Sequence, residues 1–152
     1  MSMFRVNVEA GIALVTITNI RKPSLVTEIL NAIEEARVSI RLWIEEGNHK
    51  ITLKLTVKSD DLNRTIGAVT NCKKRYGSKI GIASIPKLVE VSVSSEEAMD
   101  EVGILARAYV VFQEGGNARL MATSSDKSVT WVIKNNSALI ANLKAEFSKS
   151  AT

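Results

Sequence analysis

Along the first half of the chain the period of hydrophobicity switches back and forth, and the order of those switches restricts the fold more than any single motif does. Residues 11–18 (GIALVTIT) are β-branched and alternating, which predicts a strand with both faces covered. From Ser24 the spacing becomes helical: Leu25, Ile29, Ala32, Ile33 and Ala36 share a face, while Glu28, Asn31, Glu35 and Arg37 lie elsewhere on the cylinder. Residues 39–46 return to a strand, 46–50 (EGNHK) read as a hairpin turn, and 51–57 (ITLKLTV) as the returning strand. A second helix follows, with Leu62, Ile66, Val69 and Cys72 inward and Lys73, Lys74 and Arg75 near its C-terminus, where cations suit the helix dipole. Gly77 stops it, and residues 79–84 form a further strand. The order is strand-helix-strand-strand-helix-strand.

Ser24 is the expected cap of the first helix, and Pro23 forces the residue before it into an extended conformation. Ser59 or Asp60 is the expected cap of the second. Pro86 is expected to break the chain between two strands, after which the order repeats: strand 88–93, a helix within 98–113, strands 118–124 and 128–134, and a helix from 137 to 147. The repeat lacks its last strand, because residues 148–152 are short and polar. The surplus strand lies at the other end, where residues 3–8 (MFRVNV) alternate. The predicted fold is therefore α+β: two ferredoxin-like βαββαβ domains, each with helices on one face of a four-stranded antiparallel sheet. The first, residues 10–85, is inserted into the second, built from 3–8 and 87–149.

With 152 residues, 45% of them hydrophobic, the chain can bury a sizeable core. No segment resembles a signal peptide, and no uncharged run approaches the roughly 18 residues of a membrane span, so a cytoplasmic location and no membrane partner are expected. One cysteine, Cys72, excludes an internal disulfide, and one histidine, His49, gives a zinc site little to work with; no metal and no cofactor are expected. No phosphate-binding glycine loop and no Ser/His/Asp spacing supports catalysis. The net charge of +4 gives a slight preference for an anionic partner, but acidic residues are interspersed and aromatics make up only 5%, so nucleic acid is an unlikely ligand.

The Pro-containing loop after the first strand, the block 117–125 (NARLMATSS) followed by 128–133 (SVTWVI), and the ending 142–147 (NLKAEF) resemble paired ACT domains. In particular the chain resembles the regulatory region, or beta subunit, of aspartokinases, in which one ACT domain is inserted into the other. That resemblance implies a non-catalytic module that holds an amino acid between two ACT domains, at the loop from first strand to first helix. The residues so implied are Ile20, Arg21, Lys22, Pro23, Ser24 and Leu25. Two of them depart from the family's approximate Asp-Lys-Pro-Gly: Arg21 replaces an acid, and Ser24 a glycine. Glu45 falls near a family glutamine, and the second domain would add Asn117, Ala118, Thr123 and Ser124. The implied partners are a lysine or threonine effector, a separate catalytic chain and a second copy in a homodimer. The residues also permit a plainer account: a solvated turn at 21–24, a strand-end charge at Glu45, and a structural or protein-interaction dimer whose ligand pocket is vestigial.

Overall fold

The first strand runs further than its apolar centre suggests. In the computed structural model, which describes residues 4–95, 101–116, 119–125 and 128–148, strand β1 spans Arg5–Ile20. Ala13, Val15 and Ile17 belong to one hydrophobic cluster, and Ile12 and Leu14 at the alternate positions are buried as well, so both faces of this stretch are covered as its composition predicts. Helix α1 (Pro23–Glu35), strands β2 (Leu42–Glu46) and β3 (Ile51–Lys58), a short 3-10 turn at Ser59–Asp61, helix α2 (Leu62–Arg75) and strand β4 (Gly81–Ser94) follow. Helix α3 (Glu101–Glu114), strands β5 (Arg119–Ser124) and β6 (Ser128–Lys134) and helix α4 (Ser137–Ser148) complete the described chain. The protein is α+β, and among the described residues its six strands form an antiparallel sheet in the order β2-β3-β1-β4-β6-β5.

The contacts divide the chain into two units. One is Gly11–Lys87, and the other joins the described residues up to Ala10 with those from Leu88 onward. In the first, the order β2-β3-β1-β4 is that of a ferredoxin-like sheet. Its core sets Val26, Ile29 and Ile33 of α1 and Val69 and Cys72 of α2 against Leu53, Leu55 and Val57 of β3. Each fully buried aliphatic side chain of this kind contributes about 1.5–3 kcal/mol relative to exposure. In the second unit, Val89, Val91 and Val93 of β4 and Val129, Trp131 and Ile133 of β6 pack with Ile104, Ala108 and Phe112 of α3 and Leu139, Leu143 and Phe147 of α4. Phe4 and Val6 pack against the same cluster, and the Phe4 and Phe147 rings meet edge to face at 5.6 Å.

Several local expectations are corrected. Ser24 does not cap α1: Pro23, with its fixed φ and no N–H, occupies the first helical position, so the cap falls on Lys22, extended at φ −132° and ψ 130°. Ser59 and Asp60 lie in the 3-10 turn instead of capping α2, and Asp61 takes the cap position and pairs with Arg64. Residues 39–41 precede β2. The first residue of β2, Leu42, donates its N–H to the buried Thr56 hydroxyl at 3.0 Å, and Arg41 just before it donates its N–H to the Thr56 carbonyl at 2.8 Å. Pro86 does not interrupt β4. It lies in an exposed stretch of the strand, and the next residue, Lys87, turns to φ 59° and donates its N–H to Ser59 Oγ at 3.3 Å. Asn136 caps α4, its Oδ1 accepting from the Leu139 N–H at 3.0 Å.

Among the described residues no helix is long and apolar enough to cross a membrane, and no group of three potential metal ligands occurs.

Candidate functional site

Two irregular corners of the Gly11–Lys87 unit face one another across a cleft of about 590 Å³. The first is the passage from β1 to α1. Asn19 bends there to φ 60°, a left-handed conformation that asparagine tolerates better than most residues, and Pro23 then fixes the start of the helix. The second is the end of α2. Gly77 at φ 58° lets the chain close a Schellman motif, with the Ser78 N–H bonded to the Lys73 carbonyl at 3.1 Å and the Gly77 N–H to the Lys74 carbonyl at 3.4 Å. A hydrogen bond ties the corners together: Asn19 Nδ2 donates to the Lys79 carbonyl at 3.1 Å.

Asn19, Arg21, Lys22, Ser24, Leu25 and Glu28 line one side of the cleft, and Tyr76, Gly77, Ser78 and Lys79 the other. Arg21 Nε donates to Asn19 Oδ1 at 3.3 Å, and the Tyr76 hydroxyl donates to Glu28 Oε2 at 2.8 Å. That bond to a carboxylate pushes the Tyr76 phenol above its ordinary pKa, with burial adding to the effect and the Arg75 charge opposing it. Arg75 lies 5.5 Å from the Tyr76 ring centre. Beneath the cleft, burial raises the Cys72 thiol, and the nearby Glu28 carboxylate raises it further; Cys72 Sγ donates to the Glu28 carbonyl at 3.5 Å.

Pro23 has no N–H to offer and the Leu25 N–H is bonded to the Lys22 carbonyl at 3.0 Å, so side chains carry much of the attraction for an anion at this corner. The cleft has both signs of charge, three cations and one carboxylate, with hydroxyls from Ser24, Ser78 and Tyr76 between them. It can hold a small zwitterion or anion by hydrogen bonds and charge, and its volume falls in the range usual for small-molecule sites.

Of the residues implied in the sequence, the structure gathers Arg21, Lys22, Ser24 and Leu25 at the cleft. Ile20 is fully buried in the core behind the loop, and Pro23 is exposed at the helix start. Glu45 is not among the lining residues: it lies exposed on β2, paired in register with Leu53. Thr123 and Ser124 belong to β5 in the other unit, and Asn117 and Ala118 lie outside the described residues. Glu28 on the same wall, and Tyr76, Ser78 and Lys79 on the opposing one, were missed. Helical spacing places Glu28 only on the polar side of α1, and the α2 terminus reads as a helix stop; their meeting is a consequence of α1–α2 packing.

The fold is that of aspartokinase regulatory subunits. A chain of a structure of aspartokinase alpha and beta subunits superposes with a TM-score of 0.84 at 19% identity, covering 95% of this chain and 97% of that one. The ligand-free regulatory subunit of aspartate kinase from Thermus thermophilus gives 0.83 at 15% identity and 97% of both chains. E. coli aspartokinase III, solved with lysine and aspartate, gives 0.71 at 12% identity over 97% of this chain and 34% of the kinase. No protein-family model and no curated protein matches the sequence.

Proposed function

We propose that this chain is a non-catalytic regulatory module that binds an amino acid at the corner between β1 and α1. In this reading it is a tandem pair of ACT domains, the first, 10–85, inserted into the second, 3–8 with 87–149. The contact boundaries at Ala10/Gly11 and Lys87/Leu88 and the packing of Phe4 on Phe147 support that division. Two copies pair so that an ACT domain closes over the effector, and the dimer acts in the cytoplasm on a separate catalytic chain. Effector binding shifts the assembly only through a difference in affinity between its arrangements.

The observation that carries the proposal is the cleft itself: in a fold shared with aspartokinase regulatory subunits, Arg21, Lys22 and Ser24 of this corner line a cavity that also contains the Glu28 carboxylate. An α-carboxylate would go to the cations and Ser24, an α-ammonium to Glu28. Calorimetric titration and thermal shift against the amino acids, with lysine and threonine as the effectors first expected, test this. Heat and a raised melting temperature with at least one amino acid are expected; silence across the panel rejects effector binding.

A second reading, an interaction dimer with a vestigial pocket, is favoured by the way Asn19 binds both Arg21 and the Lys79 carbonyl, which satisfies part of the cleft internally. The exposed Val102, Tyr109 and Val110 of α3 fit it too. Light scattering that finds a stable dimer, together with a silent panel, would select it.

A further inference from the structure

The charges lining the cleft do not balance. Arg21, Lys22 and Lys79 are cationic, Glu28 is the one acid among the lining residues, and the difference, three less one, leaves a net charge of +2. None of the three cations is in an ion pair among the described residues. Glu28 meets the Tyr76 phenol, not a cation, so none of the three cations is offset by it through an ion pair. Lys73, Lys74 and Arg75 at the adjoining α2 terminus add to the positive field.

A ligand that complements this arrangement needs one positive group for Glu28 and more than one negative group for the cations. A neutral amino acid offers one carboxylate and leaves part of the cationic charge unmatched, and a basic one brings a further cation into a cleft already positive. A phosphate or simple dicarboxylate satisfies the cations but sets its charge against Glu28. We infer that the cleft selects an amino acid whose side chain is itself a carboxylate, over neutral and basic amino acids. This rests on the amino-acid-binding proposal and specifies the ligand class of that same site. Its α-ammonium pairs with Glu28, and its two carboxylates are shared among Arg21, Lys22, Lys79 and the Ser24 hydroxyl. The cations are solvent-exposed, so the preference weakens with salt.

The test is calorimetry on the full chain at low and high salt with L-aspartate, L-glutamate, L-threonine, L-lysine and succinate. The expected result is that one of the two acidic amino acids binds about tenfold or more tightly than threonine at low salt, with lysine weakest and the margin shrinking in high salt. Lys79→Met should weaken the acidic ligand by about fivefold or more and threonine by less, so that the margin between them narrows. Glu28→Gln, whose amide oxygen can still accept from Tyr76, should erase the advantage of aspartate over succinate; circular dichroism checks that each variant is folded. Threonine or lysine binding as tightly as the acidic amino acids overturns the charge selection while leaving amino-acid binding intact. Succinate binding the wild-type chain as tightly as aspartate overturns the role given to Glu28. No binding by any amino acid overturns this inference and the effector proposal together.

Discussion

The Tyr76 hydroxyl donates a 2.8 Å hydrogen bond to the Glu28 carboxylate across 48 residues of sequence, joining the end of α2 to the first half of α1 on the wall of the cleft. The contact favours the protonated phenol, so its contribution to stability is present below the ordinary pKa of tyrosine and is lost as pH rises through the raised one. Tyr76→Phe should therefore be less stable than wild type at neutral pH, and the difference should close above about pH 10. Denaturant titrations across that range check it; a difference that stays constant would exclude the bond as its source.

Both helices of the Gly11–Lys87 unit end in the same motif, but with different residues at the left-handed position. Arg37 at φ 60° closes α1, with the Val38 N–H bonded to the Ile33 carbonyl at 3.3 Å, and Gly77 does so for α2. Arg37→Gly should stabilise the protein by about 0.5–1 kcal/mol, and Gly77→Ala should destabilise it by about 1 kcal/mol. Equilibrium unfolding of the pair measures both; effects of the same sign would contradict the conformational explanation.

The β2–β3 hairpin depends on Gly47. At φ 92°, an added Cβ would overlap the carbonyl oxygen of Lys50. Gly47→Ala should cost about 1–3 kcal/mol, with early loss of amide protection in β2 and β3 on hydrogen exchange. A neutral substitution would show that the turn adopts another form.

Arg107 of α3 holds the start of β1. Its guanidinium lies 5.3 Å from the Phe4 ring centre and 4.9 Å from that of Phe147, and it donates to Glu146 Oε1 at 3.0 Å and to the Glu146 carbonyl at 2.6 Å. The pair with Glu146 is partly solvated, so packing and the backbone contact outweigh its Coulomb attraction. Arg107→Ala should cost about 1–3 kcal/mol and speed amide exchange in residues 4–8. Unchanged exchange there would disprove this pinning role.

The α+β character and the order of elements were legible because alternation and helical spacing are local properties of the chain: Ala13, Val15 and Ile17 against Ile12 and Leu14, then Val26, Ile29 and Ile33. Gly77 as a stop was legible because glycine suits a left-handed turn. The caps were misplaced because Pro23 fixes the helix start by backbone geometry, whatever the side chain at Ser24 could do. Pro86 misled for the converse reason: a proline lacking an N–H is tolerated where its strand is exposed and the next residue turns aside. Half of the cleft was legible as a loop, from Arg21 to Leu25. The other half was not, since nothing local in Tyr76 or Lys79 indicates that α2 ends beside α1.

Effector binding at this corner is tested most directly by chemical-shift mapping, with amino acids titrated into the isotope-labelled full chain. The account predicts saturable shifts in the amides of Arg21, Lys22, Ser24 and Leu25 together with those of Gly77, Ser78 and Lys79, on both walls of the cleft. Saturable shifts confined to other parts of the chain, or none with any amino acid, would contradict it.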